Sequence, residues 1–369
     1  MTARLPVLVL GVGGNVSQGI LKAIAMGSLP CRVVGACVSP LSYGLYTTDT
    51  ADVSPAANDP AFMPWLVAIC RREGVRAILS GVEAVLRVLA AHHEEIERET
   101  GARVIVSGPD VLAIGDDKLV TARWLAAQGC HAPRTVDATD TAAVSALVIA
   151  CGFPLIAKPR VGKGHAGVLM VHTQVDLAYA TAQPGYLVQE YLGSDDTEYT
   201  VGCYSDRDGQ VRGAIVMRRE LQEGTTYKAE IGDYPAVRTE SLRIAAALRP
   251  MGPSNMQLRI TDDDRPVCFE INVRFSGTTP MRAHFGFNDV EAALRHYVLD
   301  EPASDLPHIT AGVALRYWNE LYVDPAAVAT LRATGHLTNP AGHPRTVELY
   351  GATTQSLSST SEKLSPAVE

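Results

Sequence analysis

Residues 254–282 decide the fold, and they begin with Ser-Asn-Met-Gln-Leu-Arg-Ile at 254–260. An acidic break, Thr-Asp-Asp-Asp-Arg, separates this run from Pro-Val-Cys-Phe-Glu-Ile-Asn-Val-Arg-Phe-Ser-Gly-Thr-Thr-Pro-Met-Arg at 266–282. Met256–Ile260 and Val267–Val273 are apolar, strand-like runs on either side of the turn-forming residues. The pattern therefore predicts two antiparallel strands joined by a tight turn.

The polar residues of the second strand recur at every second position. Because alternate residues of a strand share a face, Glu270, Asn272 and Arg274 point the same way, and Gln257 can lie opposite them if the register permits. Carboxylate and amide oxygens suit Mg²⁺, which completes its shell with substrate phosphates. Arg274 offers a planar guanidinium to a transferred phosphate. The alternative is an ordinary hairpin whose polar face meets water.

Gln257, Glu270-Ile271-Asn272, Arg274 and the following Ser276-Gly277 closely resemble the metal-binding stretch of the ATP-grasp superfamily. The nearest likeness is to its carbamoyl-phosphate-synthase-like branch and to carboxylate–amine ligases. The resemblance implies an α/β protein with α+β lobes, in which a Rossmann-like parallel-sheet domain precedes a small lid subdomain and an antiparallel-sheet lobe. We expect these parts, and a small C-terminal subdomain with its tail, to span residues 1–112, 113–186, 187–302 and 303–369.

The bulk composition narrows the class of protein. At 369 residues with 47% apolar residues, the chain is long enough for two or three domains. The net charge of −8 argues against nucleic acid and anionic membranes as partners. No apolar stretch reaches a membrane-spanning length, and the N-terminus leads directly into a strand. Seven scattered cysteines without a Cys-x-x-Cys pair indicate reduced thiols, so we expect a cytoplasmic protein.

The first hundred residues alternate strand and helix patterns, which predicts a parallel sheet with crossover helices. The expected strands are Val7–Leu10, Arg32–Val38, Ala77–Leu79 and Val104–Val106, and helical stretches are expected over Ala61–Arg72 and Val82–Thr100. The glycine-rich turn at residues 11–19 can hold an anion through its backbone amides. Its spacing fits a dinucleotide-binding turn poorly, because Gly19 comes too late and no clear ribose-binding acid follows the next strand.

Two lysines mark the predicted nucleotide site. Asp116 or Asp117 is a suitable N-cap for the helix that begins near Lys118, and the family places a basic residue there close to the nucleotide. Lys158 lies inside an apolar strand, where a lone charge is costly, so it requires an anionic partner or a cleft. The turn that follows resembles the ATP-grasp lid, whose amides close over phosphates; its candidate residues are Gly162, Lys163, Gly164, His165 and Gly167. Surface exposure remains the alternative for Lys118, Lys163 and His165.

The run Gln189-Glu190-Tyr191-Leu192 ends an apolar strand at a polar hinge. Such a hinge presents backbone groups to an adenine edge and apolar walls to its ring. The resemblance assigns Glu190, Tyr191 and Leu192 to the adenine and Glu198 to the ribose hydroxyls. We expect Gln189 to point away, toward the interior or the phosphates.

Basic residues between the hinge and the C-terminal part supply the remaining candidates. Arg218 and Lys228 are predicted to meet the γ-phosphate or a substrate carboxylate, whereas Arg219 can equally be surface charge. Beyond the hairpin, the predicted substrate-facing residues are Ser276, Gly277, Thr278, Arg282 and His284. A solvated loop is the alternative for His284.

The resemblance implies an ATP-dependent carboxylate–amine ligase that works through an acyl phosphate and releases ADP and phosphate. ATP and two Mg²⁺ ions, which Mn²⁺ can replace, are the expected cofactors, with Gln257, Glu270 and Asn272 as metal ligands. The expected partners are a small carboxylate and an amine, and the family suggests a homodimer. Three other functions stay open: phosphorylation of bicarbonate, nucleotide binding without turnover, and a nicotinamide-dependent oxidoreductase that uses the first domain.

Overall fold

The computed structural model describes residues 3–162, 166–193 and 195–339. Three sheets organise these residues. The strands are β1 (Leu5–Leu10), β2 (Cys31–Cys37), β3 (Thr50–Val53), β4 (Ala77–Ser80), β5 (Arg103–Val104), β6 (Thr135–Asp137), β7 (Leu155–Pro159), β8 (Leu169–Val171), β9 (Tyr186–Glu190), β10 (Glu198–Ser205), β11 (Val211–Gln222), β12 (Thr225–Ile231), β13 (Gly252–Ile260), β14 (Pro266–Asn272), β15 (Gly312–Leu315) and β16 (His336–Thr338).

The α-helices connect these strands and cover the sheets. They are α1 (Asn15–Met26), α2 (Phe62–Glu73), α3 (Glu83–Ala91), α4 (His93–Thr100), α5 (Pro109–Asp116), α6 (Lys118–Ala127), α7 (Thr141–Cys151), α8 (Gln174–Thr181), α9 (Pro235–Leu248), α10 (Thr279–His284), α11 (Asp289–Ala293) and α12 (Pro325–Thr334). No helix within the described ranges is long and apolar enough to cross a membrane.

The N-terminal strands form the parallel sheet, with the order β16-β3-β2-β1-β4-β5. Strands β1 to β5 run parallel, as the strand–helix alternation predicts, and only β16 is antiparallel. The helical stretch expected over Val82–Thr100 is present. It is two helices, α3 and α4, because His92 leaves the helical conformation at φ −116° and ψ 21°.

The small sheet contains β6, β9, β7 and β8, all antiparallel, and follows α6. Asp117 caps α6 by accepting hydrogen bonds from the backbone N–H of Leu119 and Val120, which selects it over Asp116 as the N-cap. Apolar residues of α7, α8 and the small sheet pack into a core of their own, between Ala138 and Val188.

The large sheet is antiparallel, with the order β14-β13-β10-β11-β12-β15. The predicted hairpin is present as β13 and β14, at one edge of this sheet. Two apolar cores each contain residues from both the parallel and the large sheet: Leu8 and Ile271 belong to one, Val9 and Ile215 to the other. This shared burial holds the two sheets together.

Residues 303–339 add a strand to each of these two sheets. β15 pairs with β12 in the large sheet, and β16 pairs with β3 in the parallel sheet. Residues 340–369 lie outside the described residues, so the expected C-terminal subdomain and the four domain boundaries stay predictions.

Candidate active site

The register of the β13–β14 hairpin sets the first part of the site. Gln257 lies opposite Glu270, and Asn255 opposite Asn272, with a register irregularity just after Gln257. Both pairs stand on the face that the alternation pattern assigns to polar residues. The carboxylate and the side-chain amides therefore converge, although they come from separate strands.

Hydrogen bonds join these side chains to two arginines. Glu270 Oε1 accepts from Gln257 Nε2 at 2.9 Å and from Asn272 Nδ2 at 2.8 Å. Arg219 Nη2 donates to Gln257 Oε1 and Arg274 Nη2 to Asn272 Oδ1, each at 2.8 Å. Within the described residues, no hydrogen bond is recorded to the other oxygen of Glu270, Oε2.

The oxygen atoms of these side chains are suitable ligands for a hard divalent cation. Glu270 offers a carboxylate oxygen, and a half-turn of either amide exchanges its N–H for its carbonyl oxygen. Mg²⁺ needs only one or two such protein groups when phosphates complete its shell. Glu270 and Asn272, with Gln257, are therefore the residues that would hold the ion.

Arg274 is held in place by the carboxylate of a residue that is distant in the sequence, Glu83. Its Nε and Nη2 donate to Glu83 Oε1 at 3.0 and 2.7 Å, and its Nη1 donates to the carbonyl oxygen of Phe275 at 2.8 Å. Glu83 begins α3 on the parallel sheet, 191 residues away in sequence. The sequence gives no local signal for this contact, because only the tertiary fold brings the two residues together.

A cavity of about 380 Å³ opens beside the hairpin, lined by strands of the small and large sheets and by the segments that follow β1 and β4 of the parallel sheet. Fourteen of the predicted site residues line it, namely Lys118, Lys158, Gly162, Glu190, Tyr191, Leu192, Glu198, Gln257, Glu270, Asn272, Arg274, Ser276, Gly277 and Thr278. The volume is in the range of small-molecule sites. The roles of these residues remain proposals, but one cavity gathers them.

Burial lowers the pKa of Lys158, which lines the cavity. It is 7% exposed, and burial lowers the pKa of its ammonium group from 10.5 to about 8, although the Glu270 carboxylate opposes the shift. Its Nζ lies 5.6 Å from the centre of the Phe269 ring. Lys118 Nζ donates to the carbonyl oxygen of Gly162 at 3.0 Å. These two ammonium groups stand where an anionic ligand would neutralise them.

Two arginines hold the carboxylate of Glu198. Arg219 donates to Glu198 Oε1 at 2.6 and 3.0 Å, and Arg259 donates to Glu198 Oε2 at 2.8 and 3.1 Å. Glu198 is 3% exposed and lines the cavity. These four hydrogen bonds fill the acceptor sites of both oxygens, so a further donor such as a ribose hydroxyl would have to replace one of the arginine contacts.

Strand alternation would have identified Arg219 from the sequence. Residues 217, 219 and 221 of β11 share the inner face, and Met217 and Leu221 are apolar, so Arg219 belongs inside with them. Arg218 and Glu220 share the outer face and are exposed. Neither Arg218 nor Lys228 lines the cavity, in contrast to their predicted catalytic roles. They form exposed ion pairs with Glu230 and Glu220.

We expect Arg219→Met to lower the free energy of unfolding by about 2–3 kcal/mol, because buried Glu198 loses one of its two cationic partners. The matched control is Arg218→Met on the outer face, where an exposed ion pair contributes less than about 1 kcal/mol. Urea unfolding of both variants measures the difference. Equal stabilities would contradict the inward position of Arg219.

Other predicted residues also lie away from the cavity lining. Gly167 follows the lid turn but is not among the lining residues, whereas Lys163, Gly164 and His165 lie outside the described residues. His284 is exposed at the end of α10, with its ring edge-on to Phe285. Arg282 is wholly buried and bonds to Asp289, so it cannot face a ligand directly.

The hinge and the N-terminal glycine turn complete the lining. Gln189 is 3% exposed and donates to Thr135 Oγ1 at 2.8 Å, which directs its amide toward the interior of the small sheet. Gly14, Asn15, Val16 and Ser17, at the start of α1, also line the cavity. The sequence left open whether this turn meets any ligand, and the fold brings it beside Ser276–Thr278.

Comparison with known families agrees with this geometry. Residues 182–321 match the family model "ATP-grasp in the biosynthetic pathway with Ter operon", and residues 7–105 match "PylC-like, N-terminal domain". The chain is 26% identical over 203 residues to the carbamoyl phosphate synthase large chain of Xylella fastidiosa (strain 9a5c). That alignment covers 49% of this chain and 18% of the relative, so the chain spans about a fifth of the length of the curated relatives it matches.

Solved structures with the same fold confirm the predicted architecture. N5-carboxyaminoimidazole synthetase from Staphylococcus aureus, complexed with ADP, superposes with a TM-score of 0.66 at 13% identity, covering 85% of this chain and 81% of that one. The enzyme of Aspergillus clavatus, with ADP and aminoimidazole ribonucleotide, gives 0.65 at 16% identity, with coverages of 90% and 86%. The biotin carboxylase domain dimer of Hydrogenobacter thermophilus 2-oxoglutarate carboxylase, with MgADP and bicarbonate, gives 0.63 at 14%, with coverages of 84% and 73%.

Proposed function

We propose that this chain, which has the ATP-grasp fold and carries an ATP-grasp domain after a PylC-like N-terminal domain, is an ATP-dependent carboxylate–amine ligase. The observation that carries the proposal is the cavity, in which Lys118, Lys158 and Arg274 meet the carboxylate and amides of the hairpin. This combination of cationic side chains and hard oxygen ligands suits a nucleoside triphosphate bound to Mg²⁺.

The nucleotide would occupy the cavity from hinge to hairpin. Backbone groups of Glu190–Leu192 would bind the adenine edge, and Glu198 would accept from a ribose hydroxyl in place of one of its arginine contacts. Lys118 and Lys158 would bind the phosphates. Mg²⁺ bound at the hairpin would neutralise charge on the phosphate oxygens, which is the main requirement of phosphoryl transfer.

Arg274 would bind the transferred phosphoryl group. A carboxylate oxygen of the substrate attacks the γ-phosphorus, the bond to the β-phosphate oxygen breaks, and ADP leaves. Glu83 holds the guanidinium of Arg274 in place before the ligand arrives, which reduces the cost of ordering it. An amine nitrogen then attacks the acyl carbon, phosphate departs, and an amide bond forms after loss of a proton. No nucleophilic side chain is needed.

Phosphate release tests the proposal directly. The purified chain with ATP and Mg²⁺ should release phosphate when given a suitable carboxylate and amine, and mass spectrometry should show the amide product. We would screen pairs of amino acids and other small carboxylates. Release with no product at any pair, or no binding of ATP, would contradict the ligase assignment.

Bicarbonate is the second candidate carboxylate. The relatives include a carbamoyl phosphate synthase large chain and a biotin carboxylase domain in complex with bicarbonate. Bicarbonate therefore belongs in the screen, and ATP hydrolysis that depends on bicarbonate alone would favour this function. Cytoplasmic location, the number of bound ions, replacement by Mn²⁺ and a homodimer remain part of the proposal.

A further inference from the structure

A buried polar cluster lies beneath the loop at Ser276–Thr279, which closes one end of the cavity. Arg282 and Asp289 are both fully buried and form an ion pair with an Nη2–Oδ2 distance of 2.7 Å. The same Nη2 donates to Thr279 Oγ1 at 2.9 Å, and Nη1 donates to Ser276 Oγ at 3.3 Å. A guanidinium has only donors, so both hydroxyl oxygens must act as acceptors toward Arg282.

Counting lone pairs at Ser276 settles the direction of its proton. A hydroxyl oxygen has two acceptor sites, and those of Ser276 are filled by Arg282 Nη1 and by the backbone N–H of Thr278 at 3.3 Å. Its own hydrogen must then go to Thr278 Oγ1, which lies 2.8 Å away. Thr278 Oγ1 is therefore an acceptor in this contact.

The hydroxyl hydrogen of Thr278 consequently remains for another acceptor. No acceptor for it is recorded within the described parts of the chain, and Thr278 lines the cavity beside Gly277. Donation from Ser276 also polarises the Thr278 hydroxyl and strengthens it as a donor. The loop thus presents one O–H group with a fixed direction of hydrogen bonding.

We propose that Thr278 donates a hydrogen bond to an anionic oxygen of the substrate carboxylate or its acyl phosphate, and that buried Arg282 is the positioning residue that sets this polarity through Ser276. The proposal rests on the proposed function for the identity of its ligand. It also gives a role to Arg282. The sequence predicted that this residue contacts the substrate, but the structure buries it.

The surroundings of Arg282 are shaped around its guanidinium. A Cβ on Gly202 of β10 would lie 2.2 Å from Arg282 Nη1, so only glycine leaves room for the side chain there. Burying a charged pair costs desolvation energy, and apolar residues of similar volume would often stabilise the fold equally well. The Arg282–Asp289 pair is therefore better explained by its effect on the Ser276–Thr279 loop than by its effect on stability.

Binding of inorganic phosphate to the MgADP complex tests the donor by calorimetry. We expect Thr278→Val to weaken phosphate binding about 10-fold to 100-fold, the loss of one hydrogen bond to a charged group, while Thr278→Ser restores most of it. Thr330→Val, an exposed threonine of α12, is the matched control and should change nothing. Equal phosphate affinity in Thr278→Val and the wild type, or no phosphate binding to either, would overturn the proposal.

A double-mutant cycle tests the route from Arg282. Ser276→Ala leaves the buried ion pair intact and should weaken phosphate binding several-fold in the wild-type background. In the Thr278→Val background Ser276→Ala should have no further effect, since the hydrogen-bond relay from Arg282 through Ser276 to Thr278 is already broken. Independent, additive effects would show that Ser276 acts only on loop structure and would overturn the relay.

The outcome separates this inference from the ligase assignment. Once a carboxylate substrate is found, Thr278→Val should raise its KM and lower kcat, because the donor contacts both the carboxylate and the acyl phosphate. Wild-type turnover with an unaffected Thr278→Val variant would defeat the inference alone. Phosphate binding that depends on Thr278 in a chain that turns over no carboxylate would defeat the ligase assignment alone.

Discussion

Replacing Glu270 by glutamine is expected to lower ATP turnover by roughly 10³-fold, the upper range for removal of one electrostatic group from an active site. The change keeps the size of the side chain and its contacts with Gln257 and Asn272. It removes the carboxylate charge that a divalent cation requires among amide neighbours. Turnover should fall because the metal–nucleotide complex binds more weakly and because phosphate charge is less well neutralised.

Calorimetry separates this effect from damage to the fold. ATP affinity of the wild type should rise when Mg²⁺ is added, and the rise should vanish in Glu270→Gln, whereas affinity in excess chelator should remain similar. Glu220→Gln is the matched control, because Glu220 lies on the exposed face of β11 and pairs with Lys228 there. A Glu270→Gln variant with wild-type Mg²⁺ dependence would refute the assignment of the metal to the hairpin.

Replacing Lys158 by methionine is expected to stabilise the ligand-free protein and to remove most of its affinity for ATP. Burial holds the pKa of Lys158 at about 8 instead of 10.5, which corresponds to a cost of up to about 3 kcal/mol at neutral pH. Methionine has a similar shape and avoids that cost. The phosphates lose a charged partner, so affinity should fall about 10²-fold.

The pH dependence of this gain has a defined sign. Below pH 8 the lysine is protonated in both folded and unfolded chains, so the full cost is present. Between about pH 8 and 10.5 the unfolded chain binds the proton and the folded chain does not, so wild-type stability rises with pH. The advantage of Lys158→Met should therefore shrink across this window.

Urea unfolding at pH 7 and pH 10 measures the change, with Lys228→Met as the control at an exposed site. The control should alter stability by less than about 1 kcal/mol at either pH. A destabilised Lys158→Met variant at pH 7 would show that Lys158 is held by its carboxylate neighbours rather than strained by burial.

The hairpin and its polar face follow from the sequence because alternation is a local property. Alternation with a period of two was enough to identify Glu270, Asn272 and Arg274. Lys158 could be identified because it is a charged residue within an apolar strand. The same rule applied to β11 would have chosen Arg219 over Arg218. That error came from weighing the charges of the run without its apolar neighbours.

Contacts between distant parts of the chain were beyond the reach of local patterns. Glu83 lies 191 residues from Arg274, and nothing in its own surroundings marks it as a partner. Arg282 follows a substrate-like loop, so the sequence placed it against the substrate, but it is buried and pairs with Asp289 at the start of the next helix. The two strands at 312–315 and 336–338 likewise join different sheets, which their short patterns could not indicate.

The division of the apolar cores determines which part of the protein can move. The parallel and large sheets share two cores, and the segment from β15 to β16 pairs with an edge strand of each, so they pack as one base. The small sheet keeps a separate core of its own and carries Lys158 and the hinge strand β9. If the proposed ligase activity holds, we expect nucleotide to enter and ADP to leave by rotation of the small sheet relative to this base. A spacer inserted before β6 should then change the rate of ADP release more than the free energy of unfolding.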